Sequence, residues 1–305
     1  MVVVFGSINL DLVTRVARFP APGETLAAES FATYPGGKGA NQALAAARAG
    51  STVQLFGAVG HDAFADPALE LLVAGGVDLG GVARVAERTG CATILVEAHG
   101  ENCIVVAAGA NARADPDAVP DAALTPATIL ILQHEIPERA NAALIARARG
   151  LGARIVLNAA PARPLTIELL RQVDVLVVNE TEAAALAAPH GWPTSAAEFA
   201  NSAAAISPRL TIAVTLGSKG AIVGFDGGLF SATPPRLEVI DTTGAGDAFV
   251  GALVAALDRR ATMRDALGCA IAAGTLACTI AGAQPSLPDR AAIDAMLPFV
   301  TRRAM

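Results

Sequence analysis

Short apolar runs and helical stripes alternate along this chain, and glycine and proline punctuate them. Val2–Phe5 is an apolar run closed by Gly6, the pattern of a buried strand. Segment 12–34 alternates imperfectly around Phe19-Pro20-Ala21-Pro22-Gly23-Glu24-Thr25, which predicts two short strands joined by a turn-rich loop. Gly36-Gly37-Lys38-Gly39 then opens a helix over 40–49, ended by Gly50. A strand at 53–59 and a helix at Ala65–Ala74 follow. Segments 91–96 and 102–106 flank the turn Ala98-His99-Gly100-Glu101, a hairpin signal. From Thr128 onward the pattern reads strand 128–132, helix 137–149, strand 154–157, strand 173–178, helix Glu180–Ala187, helix 195–206 and strand 210–215. Such alternation predicts an α/β fold with a mostly parallel sheet covered on both faces. Segment 237–240 reads as one more short strand, and 248–257 as a helix with Phe249, Leu253 and Ala256 at helical spacing. No internal repeat or low-complexity linker appears, so residues 1–305 are expected to form one main domain.

Composition changes this picture little. The 53% hydrophobic content is inflated by alanine, which packs helices without making a membrane span, and aromatics are only 4%. The longest uncharged run, 266–288, contains Gln284 and two prolines, so it reads as a buried helix and loop. Val2–Phe5 is too short for a signal-peptide core and no basic region precedes it; a cytoplasmic location is expected. A net charge of −6 argues against general nucleic-acid binding. Cys91, Cys103, Cys269 and Cys278 form no C-x-x-C pair and the four histidines are scattered, which argues against structural zinc. Cys91 and Cys103 are candidates to face each other across the hairpin, although reduced thiols are expected.

The chemistry concentrates in Asp241-Thr242-Thr243-Gly244-Ala245-Gly246-Asp247, where a loop becomes a helix N-terminus. The first helical N–H groups have no internal partner and the helix dipole is positive there. Glycines let an anion come close to those amides. Asp247 beside that spot is a candidate to accept a proton from a hydroxyl group. On spacing alone the stretch also fits a tight turn with a capping residue. It matches neither G-x-x-x-x-G-K-[ST] nor G-x-G-x-x-G, because Phe249 stands where the third glycine would be. Asn9 and Asp11 lie two apart, so an extended segment points both to one side; this suits sugar hydroxyls, as it suits a turn with Asx caps.

Asp241 to Asp247 resembles the C-terminal signature of the ribokinase-type (phosphofructokinase-B-type) carbohydrate kinases. Pro35-Gly36-Gly37-Lys38-Gly39-Ala40-Asn41-Gln42-Ala43 resembles the N-terminal signature of the same family. The resemblance runs from the first strand to about Ile293. It implies a three-layer α/β/α domain with a small β-sheet lid inserted in two pieces, at about 12–34 and 90–106. It implies ATP-dependent transfer of a γ-phosphoryl group to the 5-hydroxyl of D-ribose. Asp247 would be the base, with the amides of Gly244, Ala245 and Gly246 stabilising the transferred group. Asn9, Asp11, Gly37, Lys38, Gly39, Asn41 and Glu135 would hold the sugar. Lys38 also fits a solvated surface lysine, and Glu135 a helix-start acid before Pro137. Asn179 and Glu182 resemble an N-x-x-E motif that arranges water around Mg²⁺, and they equally fit a capping box. Thr215-Leu216-Gly217-Ser218-Lys219-Gly220 resembles the family's nucleotide loop, with Asn179 and Gly246 as further nucleotide contacts. Ile271 stands where some members have a polar residue near the adenine.

For a monovalent cation, expected to be K⁺, the resemblance implies Asp241, the carbonyls of Thr243, Ala277, Ile280 and Gly282, and Ser286. Asp241 also fits a loop cap. The lid pieces look too small to bury a core alone, and a homodimer through the lid is expected. The alternatives are a kinase of the same family for another sugar or a nucleoside, and a non-catalytic sugar-binding regulator.

Overall fold

A computed structural model describes residues 1–99, 101–225 and 228–305. In chain order its elements are β1 (Val2–Phe5), β2 (Asn9–Arg15), β3 (Ser30–Gly36), α1 (Lys38–Arg48), β4 (Val53–Gly60), α2 (Ala65–Ala74), β5 (Asp78–Val85), β6 (Gly90–Val96), β7 (Asn102–Ala107) and β8 (Ile129–Gln133). Then come α3 (Glu138–Gly150), β9 (Arg154–Asn158), α4 (Ile167–Leu170), β10 (Val175–Asn179), α5 (Glu180–Ala187), α6 (Ala196–Ala204), β11 (Thr211–Thr215), β12 (Ala221–Phe225) and β13 (Gly228–Thr233). The chain closes with α7 (Ala245–Asp258), α8 (Met263–Ala277), α9 (Ala283–Ser286), α10 (Arg290–Met296) and β14 (Thr301–Ala304).

Among the described residues the large sheet has the order β14-β13-β12-β11-β10-β9-β8-β1-β4-β5. The run from β11 to β5 is parallel, and β12, β13 and β14 extend it antiparallel. Every residue of β1 is fully buried, as a parallel strand covered on both faces requires. Val2 and Val4 face one apolar cluster, with α1, α7 and α8; Val3 and Phe5 face the other, with α3, α5 and α6. The chain order reverses between β1 and β8, so a crevice opens beyond their carboxyl ends.

The second sheet, β3-β2-β6-β7, starts where the chain leaves β1. Asn9 to Arg15 of β2 pairs antiparallel with β3 and parallel with β6. At its free edge β7 is exposed along its whole length. Gly100 of the anticipated hairpin turn lies outside the described residues; the strands on either side pair antiparallel.

Several expectations need correcting. Segment 237–240 is not a strand. Among the described residues no strand pairs with it: Ile240 N–H donates to the Cys278 carbonyl in a loop, and Leu237, Val239 and Ile240 are exposed. Strands β5, β13 and β14 were not anticipated. In β5, Asp78-Leu79-Gly80-Gly81 carries little strand signal, yet Gly81 lies flat against Phe56, whose ring atoms would be 2.2 Å from a Cβ there. Helix α1 starts at Lys38 and α7 at Ala245, each earlier than the apolar stripe suggested. Cys91 stands opposite Ala107 and Cys103 opposite Leu95, so the two do not face each other, and all four cysteines are free. No helix among the described residues is long and apolar enough to cross a membrane.

Candidate active site

The loop before α7 is built on one steric fact. Gly244, the N-cap, has φ 78°, and a Cβ there would lie 2.9 Å from the Ala283 Cα. Only glycine fits that position at no cost. Gly246 is the opposite case: a Cβ there would meet no atom within 4 Å. The fold itself therefore gives no steric reason for Gly246, and the space before it is open. Ala245 N–H turns back to the Thr242 carbonyl at 3.2 Å. No hydrogen bond among the described residues takes up the N–H of Gly244 or Gly246.

In the first turn of α7 stands Asp247, buried. Asn41 Nδ2 donates to its Oδ2 at 2.9 Å, and Gln42 Nε2 donates to its Oδ1 at 2.8 Å. Both donors sit on α1, which packs against α7. Burial pushes the Asp247 carboxyl above its usual range, while Lys38 and the two amides pull against that shift. Lys38 is half-buried. Burial depresses its ammonium, but Asp247, Glu135, Glu182 and Asp11 outweigh it and hold Lys38 above the usual lysine range. Burial and the carboxylates of Glu135 and Asp247 push Asp11 up to about 7. Four carboxylates thus share one lysine.

Backbone close approach holds this cluster together. Gly39 N–H donates to Ser7 Oγ at 3.2 Å, and Ser7 Oγ donates to Glu135 Oε2 at 2.6 Å. Lys38 N–H donates to the same oxygen at 3.0 Å. A Cβ on Gly39 would lie 2.5 Å from the Gly6 carbonyl carbon, and one on Gly37, at φ 87°, 2.8 Å from Asn9 N. A Cβ on Gly36 would meet the Asp11 carboxylate at 2.2 Å. Asn9 Oδ1 accepts from Asn111 Nδ2 at 2.7 Å, and Asn111 Oδ1 accepts from Ile8 N–H at 2.9 Å. The structure therefore brings Asn9, Asp11, Gly37, Lys38, Gly39, Asn41, Glu135 and Asp247 to one crevice. The buried oxygen Asn41 Oδ1 has no partner among the described residues. Ser7, Asn111 and Asn158 were not singled out from sequence, and Gln42 and Gln133 were given no role of their own. Gln42 carried a signal, a polar residue inside an alanine-rich helix beside Asn41; Asn111 carried none.

On the other side of Lys38, Asn179 caps α5. Its side chain accepts from Glu182 N–H at 2.8 Å and Glu182 Oε2 accepts from Asn179 N–H at 2.8 Å, a full capping box. Burial pushes Glu182 up, and Lys38 is among the groups that lower it. Thr215 ends β11, with its hydroxyl donating to the Val178 carbonyl at 3.3 Å. Gly217, Ser218 and Lys219 are exposed, and Leu216 N–H closes the loop onto the Gly220 carbonyl at 2.7 Å. A Cβ on Gly220, at φ 95°, would sit 1.9 Å from the Ala232 carbonyl oxygen. Ile271 is buried in α8.

Asp241 ties two loops. Its Oδ1 accepts from Thr243 N–H at 2.9 Å and Thr243 Oγ1 at 2.7 Å, and its Oδ2 accepts from Gly282 N–H at 2.8 Å. Burial works against its charge, but the bonds from Gly282 and Thr243 hold its carboxyl below the usual range. The N–H groups of Ile240 and Asp241 both donate to the Cys278 carbonyl. The segment with Asp241 and Thr243 is thereby joined to the one with Ala277, Ile280, Gly282 and Ser286. No cluster of three or more acidic, histidine or cysteine side chains suited to a metal occurs among the described residues.

A parallel sheet with a crevice at its switch point, a second sheet beside it and an acid at an open helix start define a small-molecule kinase of the sugar-kinase class. The chain belongs to the pfkB family of carbohydrate kinases, whose model matches residues 1–290. It is 37% identical to the ribokinase of Lactococcus lactis over 298 residues, 96% of each chain. It superposes on the ribokinase of Thermotoga maritima with a TM-score of 0.89 at 31% identity, covering 97% of this chain and 99% of that one. On the ribokinase of Arabidopsis thaliana complexed with ribose and ATP the TM-score is 0.88 at 33% identity, covering 98% of both.

Proposed function

We propose that this chain is an ATP-dependent kinase that phosphorylates the 5-hydroxyl of D-ribose. One observation carries the reading. A buried, amide-held carboxylate, Asp247, stands in the first turn of a helix that faces open space at Gly246. A carboxylate there accepts the hydroxyl proton. The sugar oxygen then bonds to the γ-phosphorus, the bond from that phosphorus to the β,γ-bridging oxygen breaks, and ADP leaves with the electron pair. Phosphoryl transfer asks mainly for positioning and for stabilising charge. The amides of Gly244 and Gly246 and the helix dipole supply the second. Ala245 N–H, turned to Thr242, contributes less than its neighbours.

Positioning falls to the charged crevice. Asn9, fixed by Asn111, and Asp11 point from the start of β2, and Glu135 is set by Ser7 and Lys38 N–H. Asn41 Oδ1, buried and without a hydrogen bond among the described residues, is assigned to a sugar hydroxyl. The ammonium of Lys38 offsets the carboxylates when the sugar displaces water, and Gly37 and Gly39 keep the backbone close enough to bind it. Thr215, Leu216, Gly217, Ser218, Lys219 and Gly220 are assigned to the nucleotide, with Asn179 and Gly246.

Asn179 and Glu182 would hold Mg²⁺ through water; that ion neutralises phosphate charge. Their capping box leaves free acceptor positions on Glu182, whose carboxylate faces the crevice. Asp241, the carbonyls of Thr243, Ala277, Ile280 and Gly282, and Ser286 would hold K⁺, which fixes the loop before α7. The caps on Asp241 do not exhaust its acceptor sites.

The small sheet, at about 12–34 and 90–106, is assigned as a lid within a single domain spanning 1–305, and the location as cytoplasmic. Its exposed β7 residues Ile104, Val105 and Val106, with Phe31, suit pairing with a second copy. Sedimentation tests the dimer; a monomer at working concentration removes it.

The deciding experiment is ADP release with pentoses, hexoses and nucleosides. D-ribose is expected to give the highest kcat/KM. A better hexose or nucleoside would reassign the substrate within the family. No turnover with any of them would favour a sugar-binding regulator.

A further inference from the structure

Beneath the charged crevice lies a layer of side-chain amides that touches no open space. Gln42 and Gln133 are fully buried, and Asn158 nearly so. Gln133 Nε2 donates to Gln42 Oε1 at 2.8 Å. Gln42 Nε2 donates both to Asp247 Oδ1, at 2.8 Å, and to Asn158 Oδ1, at 2.9 Å. Asn158 Nδ2 donates in turn to the Val177 carbonyl at 3.1 Å, and Asn141 Nδ2 holds the Gln133 carbonyl at 2.7 Å. The chain of bonds has one polarity. With its oxygen taken by Gln133, Gln42 must turn its NH₂ toward Asp247 and Asn158. A flipped amide would set a carbonyl oxygen against both the carboxylate and the Asn158 oxygen.

Buried amides cost free energy unless every one is satisfied, so apolar residues would fill this space more cheaply. The layer instead joins the ends of β8, β9 and β10, through α1, to one oxygen of one carboxylate. Lys38 is half-buried at the crevice, and Asn41, although buried, is assigned to the substrate as well as to Asp247. Gln42 is the donor to Asp247 that no ligand reaches.

We infer that Gln42 is a positioning residue for Asp247, with Gln133 and Asn158 setting the direction of its amide. This rests on the reading of Asp247 as the base. Gln42 fixes the plane of the carboxylate and, as a donor to its charged form, keeps it ionised in a buried site. Asp247 is also faced by Lys38 on α1, Glu135 after β8, Asp11 on β2 and Glu182 on α5. Gln42 hydrogen-bonds none of these, so a pH limb that belongs to one of them stays in place when Gln42 changes.

The test compares Gln42→Leu, Gln133→Met and Asp247→Asn in full pH–rate profiles with D-ribose and ATP saturating. Gln42→Leu is expected to lower kcat by about 10²-fold, the usual scale of a small misplacement of a reacting group. It should leave the KM for the sugar within threefold and move the acid limb of kcat to higher pH. Gln133→Met, which removes the donor to Gln42 Oε1 and leaves Asp247 and Asn158 alone to orient the amide, should do the same to a smaller degree. If Gln42→Leu fails to fold by circular dichroism, Gln133→Met decides. An unmoved acid limb in a folded variant, or kcat falling only in step with lost stability, overturns the inference. Near-normal turnover in Asp247→Asn overturns the base assignment itself, and with it this one; inactivity there beside an unmoved limb removes Gln42 alone.

Discussion

The two halves of the crevice are built differently. On the acceptor side the groups are side chains already held: Asn9 by Asn111, Glu135 by Ser7, Asp247 by Asn41 and Gln42. Most of them are buried. On the side assigned to the nucleotide the groups are backbone and open. Gly217, Ser218, Lys219 and Gly246 are exposed. The contrast follows from the two tasks. Orienting one hydroxyl needs fixed donors and acceptors, whereas gripping a polyphosphate needs amides that an anion can approach. Changes on the first side should appear in turnover and stability, and changes on the second in the affinity for ATP.

The largest effect should come from the acceptor side. Asp247→Asn keeps the shape of the buried residue and is expected to bind sugar by calorimetry. Its kcat should fall by roughly 10²–10⁴-fold, the range of general-base effects. Normal turnover would break the comparison at its centre.

Two glycines sharpen it next. Gly39→Ala would press a methyl into the backbone of Gly6 and Ser7 at 2.5 Å. Overpacking of this kind costs about 1–3 kcal/mol, so the melting temperature should drop by several degrees. Gly246→Ala meets nothing in the fold and removes a helix glycine. Its melting temperature should hold or rise, while the KM for ATP rises about tenfold, equal to about 1.4 kcal/mol. Equal behaviour of the two variants would erase the distinction between a packed and an open side.

A several-fold rise in turnover is expected on exchanging Na⁺ or a bulky organic cation for K⁺ at constant ionic strength, with Mg²⁺ saturating. Asp241→Ala should abolish it. Equal rates in all three salts would leave Asp241 as a loop cap only.

The last effect is on stability with pH. Asp11 is pushed up to about 7 in the folded chain, against an ordinary value of 3.8. The folded state holds its proton more tightly, so this contribution is complete below about pH 4 and is lost as pH rises through about 7. Asp11→Asn should flatten that decline in melting temperature between pH 4 and 8. An unchanged slope would mean that Asp11 is ionised in the empty crevice.

Some of the layout was legible beforehand for a local reason. Apolar period, helix starts and glycine runs are properties of neighbouring residues, so the order of most strands and helices, and the loop before α7, could be read from them. The stretch 237–240 misled the same reasoning: its apolar residues look like a strand, but a strand needs a partner strand, and Ile240 bonds a loop carbonyl at Cys278 instead. The exposed apolar face of that stretch is thus a tertiary fact.

By itself the sequence determined the α/β alternation, the open helix start with its aspartate, and the two signature stretches, because each depends on residues close together in the chain. Only the tertiary structure decided that Asp11, Glu135, Glu182 and Asp247 crowd one lysine, since these carboxylates come from β2, the end of β8, α5 and α7. It alone decided that Gln42 on α1, itself held by Gln133 of β8, reaches the Asp247 carboxylate from below, 205 residues away along the chain. Charge and hydrogen bonding act through space over a few ångströms, and no local pattern encodes which distant residues will share that space.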